Sequence, residues 1–120
     1  MNNFQKVPWP IDVFDPLVFA PAENKQGWKY KHGEVYFLLS ERGDSLEVHI
    51  GAVGKSGKKK LVEAGSLWLA EVPQYFEWAE MLLAPIKSRS VYNYCKRMGF
   101  EDAGVADFGD GQCRLMFWRF

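Results

Sequence analysis

Glu47 and His49 lie two residues apart in the run Leu46-Glu47-Val48-His49-Ile50-Gly51-Ala52-Val53. Residues i and i+2 of a strand share a face, so this spacing sets a carboxylate and an imidazole side by side. A neutral imidazole near pH 7 can accept a proton. The plainer alternatives are a solvated strand glutamate and a packed or hydrogen-bonded histidine. Immediately downstream, Gly54-Lys55-Ser56-Gly57-Lys58-Lys59-Lys60 brings two glycines and four cations together. With Lys87, Arg89, Lys96 and Arg97 it could build a basic patch for phosphates or RNA, or simply a solvated loop and helix face. Gly54-Lys55-Ser56 matches only the end of a nucleotide-binding P-loop. That motif needs a glycine five residues earlier, where this chain has His49, so it is excluded. Two histidines and two cysteines lack metal-ligand spacing, and no metal is expected.

The element nearest the C-terminal end of this chemistry is Ser88–Phe100, SRSVYNYCKRMGF. Val91, Tyr94, Cys95 and Met98 recur at i, i+3, i+4 and i+7, which puts them on one helical face, while Arg89, Lys96 and Arg97 point elsewhere. Ser88 suits the N-cap. Gly99 suits a left-handed end, with Phe100 packing back on the last turn. Cys95 reads as a buried residue of the apolar face.

Stepping along the chain, residues 1–33 hold Pro8, Pro10, Pro16 and Pro21 and no sustained period, which predicts an irregular arm with one helical turn near Ile11–Phe14. Its aromatic residues Phe4, Trp9, Phe14 and Phe19, like the terminal Phe117-Trp118-Arg119-Phe120, are expected to pack on the core or at a subunit interface. Val35–Leu39 and Leu46–Val53 predict an antiparallel hairpin around Glu41–Asp44, with Gly51 marking a bulge or a close approach. A helix is expected from about Lys58 to Glu71, stopped by Pro73. Trp78–Ala84 reads as a buried strand closed by Pro85. Val105–Phe108 and Gln112–Phe120 flank Gly109-Asp110-Gly111, a second hairpin. The order β-β-loop-α-β-α-β-β, with a strand, a crossover helix and a parallel strand at its centre, predicts an α/β or α+β fold with a mixed sheet.

At 120 residues the chain is expected to be one domain, and 48% apolar residues suffice for a core. Fifteen basic residues balance fifteen acidic ones, which removes any global electrostatic argument for nucleic acid or membrane binding. No apolar run is long enough to span a bilayer, the N-terminus lacks a signal-peptide pattern, and two cysteines do not make a disulfide scaffold. A cytoplasmic setting is expected, and a chain later packaged into a particle would look the same.

From Glu34 onward the element order, with EVHIGAV at 47–53 and YNYCKRMGF at 92–100, resembles the GCN5-related N-acetyltransferase (GNAT) superfamily, and more narrowly small GNAT-like phage and prophage proteins of head-assembly or internal virion type. The resemblance implies a mixed, mostly antiparallel sheet with a central strand-loop-helix-strand unit and a C-terminal hairpin. It implies acetyl transfer from acetyl-CoA to an amine. Backbone donors over Ala52, Val53, Gly54, Lys55, Ser56, Gly57, Lys58 and Lys59 would hold the pyrophosphate, since amides at a helix start are unpaired and attract anions. Gly54 and Lys59 depart from the family's loop pattern. Glu47 resembles the family's general base, His49 is the runner-up, and Tyr94 is a candidate acid, because Cys95 occupies the family's usual tyrosine position. If the chain is an enzyme, its partners are a CoA thioester and an amine. If it is a non-catalytic phage protein, they are phage structural proteins; membrane and nucleic-acid partners are not expected.

Overall fold

The computed structural model describes residues 1–8, 24–108 and 111–120. The helical turn expected at 11–14, the aromatic residues Trp9, Phe14 and Phe19, and Gly109-Asp110 of the second hairpin lie outside the described residues.

The architecture is α/β, with seven strands and three helices among the described residues. In chain order these are β1 (Phe4–Val7), β2 (Lys25–Tyr30), β3 (Val35–Arg42), β4 (Ser45–Ala52), α1 (Gly54–Lys59), α2 (Leu61–Tyr75), β5 (Met81–Ile86), α3 (Arg89–Met98), β6 (Glu101–Phe108) and β7 (Gly111–Arg119). They form one sheet of order β1-β2-β3-β4-β5-β7-β6. Every neighbouring pair is antiparallel except β4 and β5, which are parallel and joined through α1 and α2.

The β3–β4 hairpin forms where β-branched and aliphatic residues predict it. Arg42 pairs with Ser45 across a Gly43-Asp44 turn, and the register runs unbroken to Val35 opposite Ala52. Gly51 sits opposite Tyr36 in that continuous ladder, so of the two alternatives there, a bulge or a close approach, the bulge is absent. A register shift occurs instead in the C-terminal hairpin between Asp102 and Val105, where Gly104 has φ of +96°. The α3 ends are as the sequence predicts: Ser88 Oγ accepts from the Val91 N–H at 3.2 Å, and left-handed Gly99 lets the Phe100 N–H reach the Cys95 carbonyl at 2.9 Å.

Five expectations need correction. The arm expected over 1–33 contains β1 and β2, which pair Phe4 with Tyr30 and extend the sheet outward. Both strands are short, and their burial rests on three aromatic anchors, Phe4, Trp28 and Tyr30, rather than on a β-branched run. The loop expected before the long helix is itself helical, as α1. Pro73 does not stop α2: it lies in the last turn, and the helix goes on until the Phe76 N–H meets the Val72 carbonyl. The strand expected at 78–84 begins at Met81 and runs through Pro85 to Ile86. β6 likewise starts at Glu101, four residues before the expected Val105.

The core lies where α2 and α3 meet the sheet. Trp68 of α2 stacks on Phe37 of β3 at 4.1 Å between ring centres and meets Phe4 of β1 edge-on. Ala64, Val72, Leu82, Ile86, Cys95 and Met116 complete the contact.

Candidate active site

The β4–β5 ladder is only three pairs long: Ser45 with Met81, Leu46 with Leu82, Glu47 with Leu83. Two residues beyond the last pair stands Pro85, which has no N–H to contribute to further pairing. Past that point the two strands line a cleft of about 260 Å³. Val48, His49 and Ile50 border it on β4, and Ala84, Pro85, Ile86 and Lys87 border it along β5 and just beyond. Trp68 from α2 and Tyr94, Cys95 and Met98 from α3 close one side. Val48 and Ile50 project to one face of the sheet and His49 to the other.

Glu47, His49 and Arg42 form a chain of contacts on the His49 face. Arg42 lies on β3, diagonally across from Glu47, because Ser40 is the residue directly opposite Glu47. The Arg42 Nε donates to Glu47 Oε1 at 3.1 Å, and His49 Nε2 lies 2.6 Å from Glu47 Oε2. Glu47 is 6% exposed. Burial alone would push its carboxyl up, but hydrogen bonding and charge from His49, then from Arg42, outweigh this and hold it below the usual glutamate range. The solvated strand glutamate that the sequence allows is thus not what is found. His49 borders the cleft; Glu47 stands behind it and is not part of the lining.

Tyr94 also borders the cleft, with its hydroxyl donating to the Leu61 carbonyl at 2.7 Å. Burial raises its hydroxyl well above the ordinary tyrosine range. That bond depends on Gly65. A Cβ there would sit 2.0 Å from Tyr94 Oη and 2.9 Å from Met98 Sδ, so glycine is what lets α3 approach α2. Cys95 is buried, and burial pushes its thiol up to about 11.

Ala52–Lys59 lies at the end of β4 but outside the cleft lining. Val53 is the N-cap of α1, and no side chain caps the helix start. The Val53 N–H goes to the Glu34 carbonyl, and the Gly57 N–H closes on the Val53 carbonyl at 3.2 Å. Gly57 packs so tightly that a Cβ would lie 2.6 Å from the Glu34 oxygen, which accounts for that glycine by packing. Gly54, Lys55, Ser56, Lys58 and Lys59 are exposed. Of the basic residues the sequence groups together, Lys87 borders the cleft and none of the α1 lysines does.

Sequence reasoning missed Arg42, Gly65 and Trp68. Arg42 was recoverable, since a two-residue turn at Gly43-Asp44 fixes a register that brings it diagonal to Glu47. A glycine in mid-helix was the signal at Gly65. Nothing in the local sequence marks Trp68 as a cleft residue.

No protein-family model matches the chain, and no curated protein matches it in sequence. Solved structures do match. A Bacillus subtilis acetyltransferase in complex with CoA superposes with a TM-score of 0.73 at 10% identity, covering 98% of each chain. An IAA acetyltransferase from Bacillus cereus gives 0.73 at 13% identity, again over 98% of each. This chain has the GNAT fold. The aminoglycoside acetyltransferase AAC(6')-Ib, in complex with coenzyme A and kanamycin, matches more loosely, with a TM-score of 0.64 at 16% identity over 87% of this chain and 71% of its own. The likeness covers β1 and β2 as well as the region from Glu34. No described helix is long and apolar enough to cross a membrane.

Proposed function

We propose that the chain is an acyltransferase that moves an acetyl group from acetyl-CoA to an amine. The observation that carries this reading is the cleft between the diverging ends of β4 and β5, bordered by His49, with Glu47 bonded to His49 outside the lining. The fold adds support, since proteins that share it are acetyltransferases with CoA bound.

The residues present fit such a donor. The cleft is bordered mainly by apolar side chains, which suits a narrow flexible chain. The first-turn amides of α1 lie just past its β4 wall, with Lys55, Lys58 and Lys59 exposed around them to attract phosphate. Ala52–Lys59 is thus proposed as the pyrophosphate site. When bound, acetyl-CoA supplies an activated acyl group as a thioester.

What the chain itself must do is remove a proton from the acceptor ammonium, so that its nitrogen has a lone pair. His49 is proposed as the base. It borders the cleft, whereas Glu47 is shielded, has both oxygens engaged, and is held in its weakly basic ionised form. An ionised Glu47 can only accept a hydrogen bond, so Nε2 of His49 is the donor in that pair. Glu47 then fixes the tautomer and stabilises the imidazolium formed by proton uptake, and Arg42 fixes Glu47. Tyr94 is the hydroxyl on the cleft wall that could return a proton to the departing sulfur. To do so it must release the Leu61 carbonyl.

The test is release of free CoA thiol from acetyl-CoA in the presence of a panel of primary amines. Amine-dependent release that His49→Gln abolishes is the expected result, and no release with any amine would overturn the reading. No observation made on the structure favours the alternative of a non-catalytic GNAT-fold phage protein in head assembly or as a virion component.

A further inference from the structure

Two concavities meet at the C-terminal end of β5. One is the β4–β5 cleft, and the other, of about 450 Å³, is bordered by Val105 of β6 and by Gln112, Cys113 and Arg114 of β7. Ile86 and Lys87 border both. Glu47 pairs with Leu83, and continuing that register puts His49 level with Pro85 and Lys87 about 7 Å further along the chain direction. Arg114 pairs with Ile86, the residue between Pro85 and Lys87. Among the described residues, neither lining contains an aspartate or a glutamate. The charged groups at the junction are instead two exposed cations, Lys87 and Arg114. Asp102, outside both linings, engages Nη1 of Arg114 at 3.0 and 3.2 Å and itself accepts from the Gly104 N–H and the Tyr92 hydroxyl. The guanidinium is thereby held at one nitrogen, and its other N–H groups can still donate.

We propose that the acceptor is an amine that also carries a carboxylate, and that Lys87, with Arg114 beyond it, receives that carboxylate while the amine nitrogen enters the cleft. The inference rests on the acetyl-transfer reading and names its substrate class. An acceptor meets the chemistry at its nitrogen, so the charges beside the cleft act on the rest of the molecule. A second ammonium group would meet only like charge in the two linings. A carboxylate would meet two cationic donors, and bonds of that kind are stronger than those between neutral groups. Selection thus comes both from what attracts the anion and from the missing carboxylates that a polyamine would need.

The test compares amines matched in chain length: γ-aminobutyrate, butylamine and putrescine, then the same three end groups on longer chains, each read by release of CoA thiol from acetyl-CoA. In the parent the amino acid should be the best acceptor, with kcat/KM about tenfold above that of the amine with an uncharged end and the difference lying in KM. Lys87→Glu should turn the ranking toward the diamine, and Arg114→Gln should narrow it. Each ranking is a ratio within one protein, so a variant of lower overall activity still reports. Equal use of the three amines at every chain length, or a ranking that both substitutions leave as it was, would overturn the carboxylate preference and leave the acetyl-transfer reading standing. No CoA released with any amine would remove both.

Discussion

At the scale of single residues, the pairing of Glu47 with His49 and Arg42 divides labour between a group that meets the cleft and groups that hold it. The division has a kinetic signature. A general base contributes about 100-fold to 10,000-fold, so His49→Gln should lower turnover by at least about 100-fold with acetyl-CoA affinity unchanged. Glu47→Gln keeps an acceptor for Nε2–H and loses only the charge, so it should cost less. The reverse ranking, with Glu47→Gln inactive and His49→Gln near normal, would make Glu47 the base. The same carboxyl also ties stability to pH. Its folded value is below the 4.5 of an unperturbed glutamate, so its stabilisation is fully present above that pH and is lost as pH falls through the folded value. In acid melting series the parent should lose more stability than Glu47→Gln below about pH 4.5, and identical acid limbs would deny the link.

Between elements, the contact of α2 with α3 sets one wall of the cleft, and Gly65 sets the contact. Gly65→Ala places a methyl 2.0 Å from Tyr94 Oη, so the Tyr94 side chain or the helix that carries it must shift. Overpacking of this kind costs about 1–3 kcal/mol. Removing the hydroxyl by Tyr94→Phe in the same chain should recover part of that loss, because the two changes share one contact. Additive losses in the double variant, measured by denaturant unfolding, would show that the hydroxyl is not what Gly65 accommodates. On the opposite wall Pro85 stands beyond the last β4–β5 pair, so the strand that sequence reasoning would close at a proline instead uses it where pairing ends. Helix α3 was legible because its cap, its apolar stripe and its terminating glycine are all local. α1 was not, because glycine and lysine give it no apolar period.

Over the whole molecule, the fold class and the central parallel connection followed from the order of elements after Glu34. The first two strands did not, since Phe4, Trp28 and Tyr30 are buried by partners far away in sequence, among them Trp68 and Tyr75. The candidate site divides along the same line. Glu47 and His49 were visible as neighbours on a strand face, but the cleft arises from two strands parting more than thirty residues apart in sequence, which no local pattern encodes. The account as a whole stands on that cleft receiving an acyl-CoA. Thermal melting with acetyl-CoA tests it most directly: at about 100 times its dissociation constant a ligand adds about 2.7 kcal/mol, so the melting temperature should climb with concentration and level off logarithmically. A melting curve that stays in place at millimolar acetyl-CoA would contradict it.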